Sequence, residues 1–299
     1  QARRPAPSSR PMSDSGPPSS SSGSEAPRPM PPFLAAGWTL GATMLFLFLA
    51  ALTVSLRPAA AVDLVSQVAC QAGAYLLVVF GILRVHAPDA SVRDFLALRR
   101  TNFAFYPLAI LLGAALVVPA AALSDAIAHR FPPPPTEDSI FAIFQSVSLP
   151  RKLMMGGAAC VIGPILEELL FRGALWKPLR KSYQGLATPV IVTTALLFAM
   201  VHMEWQRAIH VGIIGLCLGF LRQVSGSLVP SMLVHIVFNT IPLIAAAVLS
   251  TPGGPEVDLP VPLWLAATCA AVAGALLGLI HLVGKLRASA RRAQELDQA

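Results

Sequence analysis

The stretch IGPILEELLFRGALW, residues 162 to 176, carries two adjacent glutamates and an arginine inside a run otherwise fit for the interior of a lipid bilayer. An ionisable group at membrane depth costs about 2.5 to 3.5 kcal/mol on insertion scales, so each one marks a functional site unless something satisfies it. On a helix with about 100° between residues, Glu168 and Arg172 stand i, i+4 on one face, in the acid-before-base order that favours an ion pair. Glu167 points about 100° away from Glu168 and about 140° from Arg172. It has no ready partner on its own helix, and a carboxylate held that way suits taking and returning a proton near neutral pH. The bland alternative is a helix end at the cytoplasmic surface whose charges reach water, because Trp176, Lys177 and Arg180 follow closely.

Two further stretches weigh against that alternative. FAMVH (198 to 202) places His202 one helical turn after Phe198, and HIVFN (235 to 239) puts His235 and Asn239 on one helix face. A lone histidine in an apolar helix is most simply a packing residue. Such groups on three helices, all in the second half of the chain, are hard to explain as packing. A carboxylate with imidazoles and a carboxamide can supply a base for water, donors for a developing oxyanion and a proton for a leaving amine, the needs of amide hydrolysis. The other ionisable groups in or near apolar runs carry no such pattern. Asp63 and Asp125 read as helix-end residues, His210 and His281 as interfacial or packing residues, and Glu204 as an interface residue. VSGS at 224 to 227 falls at a loop and offers no serine nucleophile inside a span.

The elements that must position these groups are membrane helices. The 299 residues are 55% hydrophobic and 12% charged, about half the charged share of ordinary soluble domains, which points to an all-α polytopic membrane bundle. Apolar runs long enough to cross a core of about 30 Å fall near 33–56, 62–83, 104–128, 153–171, 187–203, 208–222, 229–250 and 262–284. Eight spans are expected, the fifth and sixth short and joined by MEWQ, so that this hairpin penetrates less deeply. Residues 1–32 are Pro/Ser-rich and are expected to be a disordered cytoplasmic tail. Residues 33–284 form the membrane domain, with the motif-bearing core at 150–250, and 285–299 a basic cytoplasmic tail. SIFAIFQSVSL (139 to 149) is too short to cross and reads as an interfacial helix.

Arg84, Arg93, Arg99 and Arg100, then Arg172, Lys177, Arg180 and Lys181, then Lys285 and Arg287 occupy alternate connections, which places both termini in the cytoplasm of a multi-pass protein, in a cell inner membrane. Arg151 and Lys152 are a mild violation. On this topology Glu167 and His235 lie toward the cytoplasmic half and His202 toward the other, so the groups meet only if span five is short, tilted or starts deeper. The net charge of +7 is spread over span ends, with no basic cluster interleaved with aromatics, and gives no sign of nucleic-acid binding. Cys70, Cys160, Cys217 and Cys269 lie within apolar runs without CxxC spacing and read as small buried hydrophobes. No internal repeat with matched motifs is visible, which weakens a transporter built from repeats.

EELLFR, FAMVH and HIVFN, in that order on successive spans, resemble the EExxxR, FxxxH and HxxxN motifs of the CPBP family of intramembrane proteases. That family includes the CAAX prenyl endopeptidases and the bacteriocin-immunity (Abi) proteins. The resemblance covers roughly residues 150 to 245. It implies that Glu167 and His202 activate a water for attack on a peptide carbonyl, that His235 and Asn239 stabilise the oxyanion, and that Glu168, Arg172 and Phe198 support the site. The implied substrate is a peptide or protein at the membrane, CAAX-like or otherwise, with the lipid bilayer as surroundings. Family members have been described both as zinc metalloproteases and as metal-independent glutamate proteases. Glu167, His202 and His235 are the residues that would hold a zinc, as a His₂Glu set with an open position; no HExxH is present. The competing readings are a non-catalytic scaffold or immunity-type protein of the same fold, and a proton-coupled transporter.

Overall fold

The computed structural model describes residues 27–132, 147–249 and 261–297, and among these the chain is helical with no strand. Eight long helices follow one another: α1 (Pro32–Leu56), α2 (Leu64–His86), α3 (Phe105–Arg130), α4 (Leu149–Ser182), α5 (Thr188–Met200), α6 (Trp205–Ser225), α7 (Val229–Leu249) and α8 (Leu263–Asp297). Each overlays one of the expected apolar runs. Six are long and apolar enough to cross a membrane, whereas α5 and the apolar part of α7, Val229–Ala245, are shorter. The interfacial helix expected at 139–149 lies outside the described residues up to 146, and Leu149 is already the first residue of α4. Most of the tail expected to be disordered, residues 1–26, is likewise outside them.

Local chemistry sets several helix limits. The Asp63 carboxylate caps α2, accepting from the Val65 amide at 3.2 Å and the Ser66 hydroxyl at 2.6 Å. It also pairs with Arg57 and with Arg151 of α4, which gives the basic residue on that side a structural partner. Burial pushes the Asp63 carboxyl up, but the Ser66 hydroxyl, Arg151 and the Val65 amide outweigh it and hold the group below its ordinary range. At the other end of the bundle, α6 stops at Gly226, whose φ of 66° is the left-handed conformation that closes a helix.

The connections gather at two ends. Leu228 N donates to Ala97 O, Arg99 Nε to Gly226 O, and Arg287 Nη1 to Ser225 O, joining the 87–104 connection, the α6–α7 turn and α8. The segment just before α1 docks on the same end. Arg28 N donates to His86 O, Met30 N to Pro178 O, and Met30 is fully buried, although its Pro-rich setting groups it with the tail. The opposite end holds the Asp63 cluster and an edge-to-face pair of Phe131 with Trp205, centroids 5.0 Å apart.

The bundle has two apolar cores. One is built from α1, α2, the central part of α4 and α5, and the other from α3, α6, α7 and α8. Helix α3 crosses α7 so closely that a Cβ on Gly113 would lie 2.7 Å from Val234 O, and this contact fixes the placement of α7 next to His235. The motif residues lie where the two cores meet.

Candidate active site

The three motif stretches converge on one cavity. Glu167 from α4, Phe198 from α5, His202 from the α5–α6 turn, and His235 and Asn239 from α7 all line a space of about 90 Å³. One water needs roughly 10 to 15 Å³ on this measure, so the cavity has room for water beside a reacting group.

The convergence depends on how α4 is wound. Its α-helical segment Gly163–Glu168 is flanked by π-helical turns at Ala158–Ile162 and Leu169–Ala174. Such turns are a frequent device at functional sites, because the changed hydrogen-bond register re-aims side chains and frees carbonyls. Arg222 of α6 reaches one of these carbonyls, donating from Nε to Arg172 O at 3.0 Å, while its guanidinium lies 5.3 Å from the centre of the Trp176 ring.

On this helix the two glutamates part company as their spacing predicts. Glu168 and Arg172 are both fully buried and joined at 2.8 Å. Arg172 Nη2 also donates to Gly215 O at 2.9 Å, and a Cβ on Gly215 would come within 3.1 Å of that nitrogen, so the contact needs glycine on α6. The same guanidinium lies 4.6 Å from the centre of the Phe198 ring.

Glu167 finds its partners on other helices. Gln71 of α2 donates to Oε1 at 3.2 Å, and His235 Nε2 lies 3.5 Å from Oε2. His235 Nδ1 lies 3.4 Å from Glu168 Oε1, so one imidazole spans both carboxylates. His202 pairs Nδ1 with Phe198 O at 2.9 Å within its own turn, which orients the ring and leaves Nε2 to the cavity. Phe198 packs edge-on against both imidazoles, with centroids 5.0 Å from His202 and 5.6 Å from His235. Asn239 is held by its backbone carbonyl, which accepts from Cys160 Sγ at 3.3 Å.

The mismatch in depth is resolved by α5. At 13 residues it is about 20 Å long, short of the roughly 30 Å hydrocarbon core, so the turn bearing His202 stays level with Glu167. Met203, with a φ of 55°, closes that turn. Of the remaining polar residues, Asp125 and Glu204 are exposed at helix ends, and His281 is exposed and stacks on Phe220. His210 lines a wider groove that joins the cavity. Gln71 and Arg222 are the residues that sequence reasoning missed. The signal for the first was a polar pair, Gln67 and Gln71, spaced i, i+4 in span two.

The fit of a metal can be judged from the donor set. Among the described residues no three His, Cys, Asp or Glu side chains are arranged to hold a metal ion. His235 turns Nδ1 toward Glu168 and His202 turns Nδ1 to the Phe198 carbonyl, the contacts that metal-bound imidazoles commonly make, and each leaves Nε2 on the cavity side. The donor types of Glu167, His202 and His235 therefore suit a zinc, while the three side chains as placed do not form a ligand set.

Residues 149–241 match the family model described as Type II CAAX prenyl endopeptidase Rce1-like. An uncharacterized 24.3 kDa protein of Escherichia coli is 27% identical over 113 residues, which cover 37% of this chain and 52% of that protein. The chain thus spans about half the length of this relative. No solved structure matches. The matched segment begins at the first residue of α4 and ends in α7, so it contains each motif residue but neither Gln71 nor α8.

Proposed function

We propose that the protein is an intramembrane endopeptidase that hydrolyses a peptide bond of a membrane-associated protein or peptide by a metal-independent route, with Glu167 as general base. The observation that carries this reading is the position of Glu167. It is the one carboxylate of the pair left without an in-helix partner, and it shares a cavity with two imidazoles and a carboxamide from two other elements.

In this reading a water between Glu167 and His202 gives its proton to the Glu167 carboxylate as its oxygen attacks the peptide carbonyl. His202, with Nδ1 fixed on the Phe198 carbonyl, holds that water through Nε2. The Asn239 carboxamide and the His235 N–H face the developing oxyanion. The 3.5 Å separation of His235 Nε2 from Glu167 is loose for a hydrogen bond, which leaves this N–H available to an entering carbonyl oxygen. The proton taken by Glu167 then passes to the leaving amine as the C–N bond breaks. Glu168 and Arg172 touch no reacting atom and act by fixing this turn of α4, and Gln71 acts by directing the Glu167 carboxylate through its bond to Oε1.

Cleavage by the purified full chain in lipid, with and without a strong chelator, tests the reading together with His235→Ala. Unchanged turnover under the chelator and loss of turnover in His235→Ala are expected. Inactivation by the chelator with rescue by zinc would replace the route drawn here, and full activity of the alanine variant would remove the site.

A further inference from the structure

The catalytic cavity opens into a groove of about 620 Å³, and the groove has a direction. Its walls include Leu64, the first residue of α2, Arg207 and His210 in the opening turns of α6, and Pro242 and Leu243 in the later half of α7. These positions run from mid-bundle toward the end that holds the Asp63 cluster and the Phe131–Trp205 pair. Among the described residues, none that lines the groove comes from the connections at the other end, where Arg28 meets His86 and Arg99 meets Gly226.

The larger share of the basic residues lies on the far side of the site from this opening. Arg84, Arg93, Arg99, Arg100, Arg180 and Lys181 all belong to the end away from the groove, whereas the groove end carries Arg57, Arg130, Arg151, Lys152 and Arg207, two of them paired with Asp63. Short loops rich in Lys and Arg stay in the cytoplasm. The short α5 adds to the asymmetry: it has 13 residues, and His202 in the turn that follows it lines the groove. Arg207, on the same wall as His202 and His210, is exposed.

We infer that the groove opens on the non-cytoplasmic face of the membrane, so that the substrate is a peptide segment presented from that face, an exported peptide or the outward-facing end of a membrane helix, and not the C-terminus of a cytoplasmic protein. The walls of the groove supply the matching chemistry. Phe46, Leu64, Val211, Phe238 and Leu243 would take apolar side chains while the peptide bond reaches Glu167. The word substrate rests on the protease reading; the orientation of the groove does not.

Single cysteines test the orientation without any turnover. Arg207→Cys and Arg100→Cys are each placed in a full chain whose four native cysteines are alanine, and a membrane-impermeant maleimide is applied to intact spheroplasts of an expressing bacterium. Residue 207 is expected to label as fully before permeabilisation as after it, and residue 100 only after. The reverse pattern, or labelling of both from outside, overturns the inference while leaving the catalytic reading intact. If the cysteine-free chain does not accumulate, the same substitutions in the native sequence, with the unsubstituted chain as blank, give the same reading, because the native thiols are buried or half-buried. Loss of turnover in His235→Ala, read separately, reports on the chemistry alone.

Discussion

Glu168 and Glu167 are neighbours on one helix, yet they belong to two regions that solve opposite problems. Around Glu168 the protein closes on itself. The carboxylate, the Arg172 guanidinium, the Gly215 carbonyl and the Phe198 ring form a closed clamp in which both charged groups are fully buried. Around Glu167 the protein stays open, with a cavity, a groove, and partners that arrive from α2, the α5–α6 turn and α7. The clamp ties α4 to α6 and α5 through Arg172, and in the proposed mechanism the neighbouring Glu167 is the group that exchanges a proton. On that reading a closed charge pair set beside a loosely held carboxylate lets a single helix serve both stability and chemistry.

That contrast breaks most severely at the clamp. Arg172→Met leaves the Glu168 carboxylate buried without its cation, a change that costs about 3 to 5 kcal/mol where one partner of a buried pair is removed. The expected outcome is a chain that accumulates poorly or melts far earlier in detergent, as read by thermal aggregation, with activity lost through the fold. Asn239→Ala acts on the open side, with a loss of about 10² to 10³ in kcat, the usual effect of removing one oxyanion donor, and an unchanged melting profile. Equal loss of stability in both variants would erase the distinction between the regions.

Much of this contrast was legible in the sequence. The i, i+4 spacing alone separated a self-satisfied pair from a leftover carboxylate, and the eight apolar runs marked the helices. What was not legible has physical reasons. The π turns on either side of Gly163–Glu168 follow from tertiary packing and have no residue signature, so the free Arg172 carbonyl and its partner Arg222 could not be foreseen. Gln71 escaped because an uncharged amide does not stand out on a charge count. Met30 was grouped with the tail because composition sees the prolines around it and not the pocket that buries it. The shortness of α5 was an expectation forced by the depth of His202, and the helix is indeed 13 residues long.

Smaller perturbations sharpen the comparison. Gly113→Ala puts a methyl group against the Val234 carbonyl and pushes α7 outward; overpacking of this kind costs about 1 to 3 kcal/mol. Because His235 follows Val234, turnover should fall more than the melting temperature does, and a change confined to stability would mean that the crossing does not position the site. The weakest effect is expected from Asp63→Asn at the groove end, about 1 kcal/mol or less for an ion pair that reaches solvent. The folded carboxyl sits below its ordinary value of 3.8, so its contribution is complete above that value and is lost as pH falls through the lower folded value. Wild type and Asp63→Asn should therefore differ in melting temperature at pH 7 and converge in strong acid. A difference that grows with acidity would contradict the sign.

The central claim is that Glu167, and not its neighbour, takes the proton from water. Its most direct test is a comparison of protein termini in membrane fractions from cells expressing the wild-type chain or Glu167→Gln, with both proteins shown to accumulate and melt alike. New termini present with the wild type and absent with the glutamine variant are predicted. The same set of termini from both would contradict the account.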